Sequence, residues 1–383
     1  MESRGVASLF LITSKSRYRP NQLQPRIHSS SPNEEQKMKI TANSTHSGRQ
    51  PTLRLALLHS SLVAASLMLL PLSSNAQESG YTAPRTVDGA PDLQGMWTSN
   101  TITPFIRPEE FGDKLVISSE EALQLEQAVA DYTAEQDLPS DPDRVAPAKD
   151  RIELADSYNN FWFDDGTRVA RYNGEFRSSL LIDPPNGRMP AYTTGAEERL
   201  RAEAQLREQR GPFAGPESRP LAERCLMSFG SSSGPPMLPI LYNNHYQIVQ
   251  SSGYVMILVE MVHDARIIRI EADPLPDALR PWMGDSIGHW EGDTLVVETD
   301  KFNLNQKFRN STENFRITER FTRVSDNVMN YSFTAQDPAT FVQPFSAEMP
   351  MNLTDDVLYE YACHEGNYSL PGVLAGARAD EEQ

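Results

Sequence analysis

The C-terminal half of the chain repeats one pattern that restricts its fold. Short segments of apolar and β-branched residues alternate with turn residues, and no helical pattern comes between them. Segments of this kind, with a turn signal about every dozen residues, predict antiparallel strands. The predicted strands are 246–250, 254–261, 266–270, 288–290, 294–299, 315–324, 328–334 and 357–363. Such a series closes into a barrel or stacks as a sandwich, so the sequence predicts a mainly β fold, an antiparallel meander closing into a lipocalin-like barrel or, alternatively, a sandwich.

Two helices are predicted upstream of these strands. Ser118 and Glu121 have the spacing of a capping box, and apolar residues follow them at helical intervals. Residues 197–210 form a second, highly charged segment that we expect to be a mostly solvated helix. The barrel should therefore carry an N-terminal helical appendage.

The order of these segments predicts two regions after residue 76. Residues 77–220 form an N-terminal extension with helices and short strands packed on the core, and residues 221–383 form the antiparallel β domain. Within the extension, residues 179–183 and 188–192 flank an Asn186-Gly187 turn, which predicts a hairpin.

The N-terminal segment has the features of an export signal. Arg49 and Arg54 precede an apolar run at 55–72, and small residues at 74–76 complete a cleavage-site pattern. The alternative is a membrane anchor, but a histidine, two serines and a proline interrupt the run, whereas an anchor needs about 20 mainly apolar residues. We therefore expect residues 1–76 to be removed and the mature protein to be periplasmic or secreted.

Charge narrows the classes of partner. Residues 1–76 hold nine Lys/Arg and three Asp/Glu, so the remaining 307 residues carry a formal charge of −23. Nucleic-acid binding depends on cations that neutralise phosphates, and an anionic membrane surface attracts basic segments. The mature chain is therefore not expected to bind nucleic acid or, once the signal is removed, a membrane. A small-molecule substrate is the expected partner.

The chain has two cysteines, Cys225 and Cys363. An even pair in an exported protein predicts a disulfide. A metal-binding or nucleophilic thiol pair is the alternative.

Five distinctive motifs are spread along the mature chain. They are Pro91–Trp97 (Pro-Asp-Leu-x-Gly-x-Trp), the Glu-Met-Val-His-Asp-Ala-Arg segment from 260, the Gly-Asp-Ser-x-Gly-x-Trp-Glu-Gly-Asp-Thr-Leu-Val-Val-Glu segment from 284, Glu319-Arg320-Phe321, and the Tyr-Ala-Cys-His-Glu-Gly-Asn segment from 361. Together they resemble a family of exported bacterial proteins of unassigned function. The resemblance covers nearly all of the mature chain, but it implies no particular activity.

The histidines of the β domain are the sharpest chemical signal, because histidine is the commonest acid/base residue near neutral pH. His263 lies with Glu260 and Asp264 between two apolar strands, where a barrel rim is expected. His364 and Glu365 directly follow Cys363, so a disulfide would hold them in place. Both histidines are predicted to be catalytic. The alternative for His263 is a hairpin turn whose polar residues face water, and the alternative for His364 is a loop histidine that is hydrogen-bonded to its neighbouring carboxylate.

Glu319 falls on the apolar face of its predicted strand, where a carboxylate is costly unless it is paired or used. Together with Glu365 it is a candidate to tune one of the two histidines. The alternative is a buried ion pair with Arg266 or Arg309. Substrate-binding residues are predicted at Arg266, Tyr361, Asn244, His245 and Trp290. The polar groups would donate hydrogen bonds to substrate oxygens, and Trp290 would supply a surface for stacking, although such aromatic residues are more often core.

The leading functional expectation is an exported, cofactor-independent enzyme that performs acid/base chemistry (lyase, isomerase or hydrolase) on a small oxygenated organic substrate. A lipocalin-like small-molecule binding protein without catalysis is the first alternative. A metal-dependent enzyme that uses the histidines of the mature domain is the second. No His-x-His or His-Glu-x-x-His spacing occurs, so no metal ligands are assigned.

Overall fold

The computed structural model describes residues 80–136, 138, 163–164, 166–228, 234–241 and 243–382. The chain divides into two units, Met1–Ser74 and Asn75–Gln383, and every described residue belongs to the second. The predicted signal segment, residues 1–76, lies outside the described residues.

Within the described part of the chain, strands predominate over helices. The strands are β1 (Gly95–Thr98), β2 (Val116–Ile117), β3 (Arg171–Tyr172), β4 (Glu175–Arg177), β5 (Leu181–Asp183), β6 (His245–Ser251), β7 (Tyr254–Val259), β8 (Ala265–Ile270), β9 (Asp285–Glu291), β10 (Thr294–Asp300), β11 (Arg316–Arg323), β12 (Val328–Gln336) and β13 (Phe345–Leu353). The helices are α1 (Ser119–Gln136), α2 (Thr194–Arg210) and α3 (Ser369–Glu381).

Nine strands close into a barrel in the order β1-β6-β7-β8-β9-β10-β11-β12-β13, because β13 pairs back to β1 through Trp97 and Leu353. β5 pairs with the start of β13, and β2, β4 and β3 form a separate small sheet. The prediction of a mainly β barrel with a helical appendage is confirmed.

One pair of barrel strands departs from an antiparallel meander. β8 and β9 are parallel, with Ile268 opposite Ser286. Residues 271–284 separate the two strands and contain three prolines, and a parallel pair needs a connection of about a dozen residues or more. This segment carries the chain from one end of the barrel to the other before β9 begins, so the barrel is mixed.

Three local predictions are corrected. Residues 188–192 do not form a hairpin strand, because the two prolines before Asn186-Gly187 replace the regular turn and only Tyr192 makes a bridge, to Phe341. Residues 357–363 form no strand. β13 was missed because Pro350 lies inside it, and proline argues against a central strand.

The barrel also crosses the predicted boundary between extension and β domain. β1 comes from residues 77–220 and yet supplies a strand of the closed barrel between β6 and β13. Trp97 is its anchor: the side chain is fully buried, and its Nε1 donates to the Leu93 carbonyl at 2.9 Å. The helical prediction in this region is confirmed by α1, whose Ser118 and Glu121 exchange both capping-box hydrogen bonds.

Large side chains fill the barrel interior. Phe321, Phe345 and Tyr331 are fully buried there, with methionines between them. Three tight hairpins, β6–β7, β9–β10 and β11–β12, lie at one end, which we call the hairpin end. The opposite end is called the His245 end, because β6 begins there at His245 and β7 leaves there at Val259.

Candidate active site

A histidine–carboxylate pair lies at the His245 end of the barrel. His245 Nδ1 is 2.8 Å from Glu260 Oε2, and the Glu260 side chain is 2 % exposed. The two residues are also joined through the backbone, because Glu260 N–H donates to the His245 carbonyl at 3.0 Å. One nitrogen of the imidazole is thus fixed by a buried carboxylate.

The local sequence explains how His245 reaches this position. Asn243 adopts a positive φ of 59°, which asparagine tolerates better than most residues. The buried Asn244 side chain accepts from Ile240 N–H and donates to the Ile240 and Asp164 carbonyls, each at 2.8–2.9 Å. This side chain closes the loop before β6 and presents His245 at the first strand position.

Glu260 is positioned by a tight turn after β7. A short 3₁₀ segment, Met261–His263, follows it, and Val262 and His263 have φ values of 68° and 57°. A β-branched residue at positive φ is uncommon and persists only where its surroundings enforce it. The turn pulls the chain back into β8 and leaves the Glu260 carboxylate facing His245.

Electrostatics favour the charged form of both partners. The hydrogen bond to Glu260 raises the pKa of His245, and this effect outweighs its burial. Burial would raise the pKa of Glu260, but the hydrogen bonds from His245 and from the backbone of Tyr359 hold it below its ordinary value. The pair is therefore a carboxylate and an imidazolium over a widened range of pH.

A second carboxyl group, Asp164, interacts electrostatically with this pair. Burial raises the pKa of Asp164, and the negative charge of Glu260 acts in the same direction against the hydrogen bond from Asn100. Asn100 Nδ2 donates to Asp164 Oδ1 at 2.6 Å, while Oδ2 is buried and has no hydrogen-bond partner among the described residues. Glu260 and Asp164 are thus two neighbouring carboxyl groups with opposite tendencies to ionise.

The segment after β13 lies against the same pair. Tyr359 N–H donates to Glu260 Oε1 at 3.2 Å, and the exposed carboxylate of Asp356 is 3.5 Å from His245 Nε2. Further along this segment, Cys363 forms the predicted disulfide with Cys225, with the Cα atoms 5.7 Å apart. The disulfide anchors the segment to the loop before β6.

His263 and His364 are both exposed. His263 lies in the turn after β7, at the His245 end, and His364 directly follows Cys363 of the disulfide. His263 Nδ1 accepts from Tyr361 N–H at 3.0 Å, so in the neutral imidazole its proton is on Nε2. Tyr361 uses its backbone in this contact, and its ring packs on the barrel core. Glu365 is exposed in the turn after Cys363.

Glu319 and Arg266 form a buried ion pair, which was the alternative to a catalytic role for Glu319. Both are buried inside the barrel, where the Arg266 guanidinium binds both carboxylate oxygens of Glu319. Tyr331 donates to Glu319 Oε1 at 2.8 Å, and Arg266 also donates to the hydroxyls of Ser286 and Thr299 at 3.0 and 2.9 Å. Since these groups satisfy one another, the structure offers neither residue to a substrate.

Asn244 and Trp290, which were also predicted to bind substrate, do not present their side chains to the His245–Glu260 pair. Asn244 is fully buried and uses its amide within its own loop. Trp290 lies opposite Leu295 beside the β9–β10 turn, at the hairpin end. Of the predicted substrate-binding residues, His245 is the one whose ring reaches the cluster of Glu260 and Asp164.

No sequence pattern singled out Asp164 or Asp356, and Glu260 was expected to lie beside His263. The signal for Glu260 was its place directly after a strongly apolar strand, 15 residues after the first residue of β6, because one hairpin of that length brings the two residues together. The short Asn243-Asn244 turn before His245 was a second signal. Asp164 had no comparable signal, because only the folded chain brings residue 164 beside residue 245.

In the described part of the chain, no group of three or more His, Cys, Asp and Glu side chains is placed to hold a metal ion. No described helix is long and apolar enough to cross a membrane. Comparison with protein-family models, curated proteins and solved structures finds no match.

Proposed function

We propose that this chain is an exported enzyme in which His245 transfers a proton to or from a small oxygenated organic substrate. The observation that carries the proposal is the fixed His245–Glu260 pair: a buried carboxylate holds Nδ1 at 2.8 Å, and Nε2 is directed toward the exposed Asp356. A general acid or base oriented by a third group is the arrangement that proton-transfer enzymes use. The reaction class is a lyase, isomerase or hydrolase reaction that needs no cofactor.

The cluster supports different roles for its members. Glu260, whose pKa is lowered, is a positioning residue that stays ionised and stabilises the imidazolium. His245, whose pKa is raised, is the catalytic acid, and Asp164, whose pKa is raised by burial, is a second proton carrier beside it. Titratable groups whose environments move their pKa values apart are the usual acid/base assignments in an active site.

Export is part of the proposal. The Cys225–Cys363 disulfide is typical of a protein that folds outside the reducing cytoplasm. Together with the basic, apolar and small-residue order of residues 49–76, it supports a periplasmic or secreted location after removal of residues 1–76. The mature N-terminus is then expected at or near Gln77.

Proton exchange with solvent tests the chemistry before a natural substrate is known. The purified protein is incubated in D₂O with small hydroxy and keto compounds, and deuterium uptake is followed by NMR. For the compound that exchanges, His245→Gln is expected to lower the rate by about 10²–10⁴-fold, the usual contribution of a general acid or base. His289→Gln is the matched control, because His289 also pairs with a glutamate, Glu291, but lies exposed on β9 near the hairpin end.

The alternatives predict different outcomes in the same assay. If His263 and His364 are the proton-transfer pair, His263→Ala will abolish exchange and His245→Gln will not. A lipocalin-like carrier would bind a compound without exchange or product, but such a ligand would have to displace the side chains that fill the barrel interior. A metal-dependent enzyme would lose its exchange activity on dialysis against a chelator.

A further inference from the structure

An arginine at the His245 end stands out because no carboxylate among the described residues pairs with it. Arg309 lies in the connection between β10 and β11, within the short turn Phe308–Asn310. Its guanidinium carbon is 4.7 Å from the ring centroid of Phe105 and 5.8 Å from that of Phe308. Two aromatic rings therefore hold a cation in place at the end of the barrel.

Among the described residues, nothing accepts a hydrogen bond from this guanidinium. Its Nε is buried without a partner, and burial lowers the pKa of Arg309 against a smaller opposing effect of Tyr192. The chain has 52 Asp and Glu against 35 Lys and Arg, so carboxylates are abundant, yet no described carboxylate pairs with Arg309. Arginine stays charged in proteins, and the buried Nε–H leaves a donor unsatisfied, which is costly.

Other stacked arginines in the structure show that this is unusual. Four more described arginines lie over aromatic rings, and each donates to a carbonyl or carboxylate oxygen. They are Arg171 with Gly174, Arg177 with Glu175, Arg219 with Glu223, and Arg323 with Asp92 and Asp326. Stacking on a ring thus leaves the in-plane N–H donors of an arginine free to bind an oxygen acceptor. Of the five stacked arginines, Arg309 is the one that has no such acceptor among the described residues.

The backbone holds Arg309 in a conformation that needs support. Arg309 and Asn310 have φ values of 47° and 66°, two consecutive non-glycine residues in the left-handed region. Asn310 is anchored by its carbonyl, which accepts from Arg199 at 2.8 Å, and by its amide, which donates to the Tyr192 hydroxyl at 2.9 Å. Strained residues that are fixed in this way are found at ligand clamps.

We infer that the Arg309 guanidinium, held between Phe105 and Phe308, is a binding site for an oxyanion, either a carboxylate or a phosphate. Both anions match the planar fork of donors that arginine presents. The side chain is only partly buried, so an anion can approach its outer nitrogens from solvent. The inference does not depend on proton transfer by His245, although an anionic group on the substrate would use the same end of the barrel.

Unfolding in the presence of anions tests the inference. Wild type and Arg309→Met are unfolded in sodium acetate, in sodium phosphate and in sodium chloride at equal ionic strength. At ten times its dissociation constant, a bound anion lowers the unfolding equilibrium constant of the wild type about 11-fold, and Arg309→Met should lose that response. Stabilisation by acetate but not by phosphate identifies a carboxylate site, and stabilisation by phosphate but not by acetate identifies a phosphate site.

Arg323→Met is the control, because Arg323 stacks on Trp97 but has its donors satisfied. It should keep the full anion response. An equal response in wild type and Arg309→Met, or no response beyond chloride in wild type, overturns the inference. If Arg309→Met does not fold, the Nε–Hε NMR signal of Arg309 in the wild type replaces it: a saturable shift with either anion supports the site, and an unchanged signal contradicts it.

Discussion

Two of the buried acid/base clusters in the described part of the barrel differ in how fully their groups are satisfied. In the interior, Glu319 and Arg266 bind each other and are completed by the hydroxyls of Tyr331, Ser286 and Thr299. At the His245 end, Glu260 fixes one side of His245, but the other imidazole nitrogen has only an exposed aspartate 3.5 Å away. Asp164 beside them has a buried oxygen without a described partner.

This contrast separates a structural role from a chemical one. A saturated ion pair has no donor or acceptor left for a ligand, so it contributes to the specificity and stability of the fold. A cluster whose outer imidazole nitrogen meets an exposed side chain can exchange that contact for one with a reacting group. Burial of charged groups alone would therefore not distinguish the proposed site from the interior pair.

The largest expected effect concerns the interior pair. Glu319→Gln leaves the Arg266 guanidinium buried without a charge partner, and breaking a buried pair in this way costs about 3–5 kcal/mol. Urea unfolding should show this loss in the free energy of unfolding. Glu291→Gln, which breaks the exposed pair with Arg320, should cost about 1 kcal/mol or less. Equal losses in the two variants would remove the distinction between the interior pair and a surface pair.

A smaller loss is expected from the disulfide, which joins the loop before β6 to the segment that covers Glu260. Replacing Cys225 and Cys363 by serine should lower the free energy of unfolding by about 2–4 kcal/mol. It should also free the segment that carries Tyr359 N–H to Glu260. Hydrogen exchange at residues 356–361 should then rise more than exchange in the barrel strands. Unchanged exchange there would show that the disulfide does not anchor the site.

The smallest effect is a pH-dependent one at the His245 end. The pKa of Glu260 is lowered, so its contribution is present above the ordinary value of 4.5 and is lost as the pH falls through the folded value. The pKa of His245 is raised, so its contribution is complete below 6.5 and is lost as the pH rises through the folded value. The stability difference between wild type and His245→Gln should peak between these limits at about 1.5–3 kcal/mol, the scale of a charged hydrogen bond. A difference that is flat from pH 4 to pH 9 would contradict the ion pair.

Much of the barrel could be predicted because its strands have clear local signals. β6, β7, β10 and β11 have apolar periodicity and turn residues at their ends, and both capping-box residues of α1 act as predicted. β13 and the parallel β8–β9 pair could not be predicted in this way. Pro350 makes the sequence of β13 atypical of a strand. The parallel pairing of β8 and β9 follows from the path of residues 271–284, which no local pattern specifies.

The candidate site was harder to predict than the fold. The disulfide and the pairing of Glu319 with Arg266 were among the expected arrangements, because each follows from a small number of possible partners. The partnership of His245 with Glu260 depends on the register of β6 against β7, in which Tyr246 faces Val259. A shift of register by one residue would turn the side chains to the opposite face, and sequence periodicity alone does not fix it.

Titration of His245 by NMR tests the central claim most directly, because it needs no substrate. In the wild type, the His245 imidazole should titrate above its ordinary pKa of 6.5, and Glu260→Gln should lower that value by removing the carboxylate at Nδ1. Glu319→Gln, if folded, should leave it unchanged, because the interior pair is a separate cluster. A wild-type His245 pKa at or below 6.5, or one that does not respond to Glu260→Gln, would contradict the assignment of this pair as the poised acid/base group.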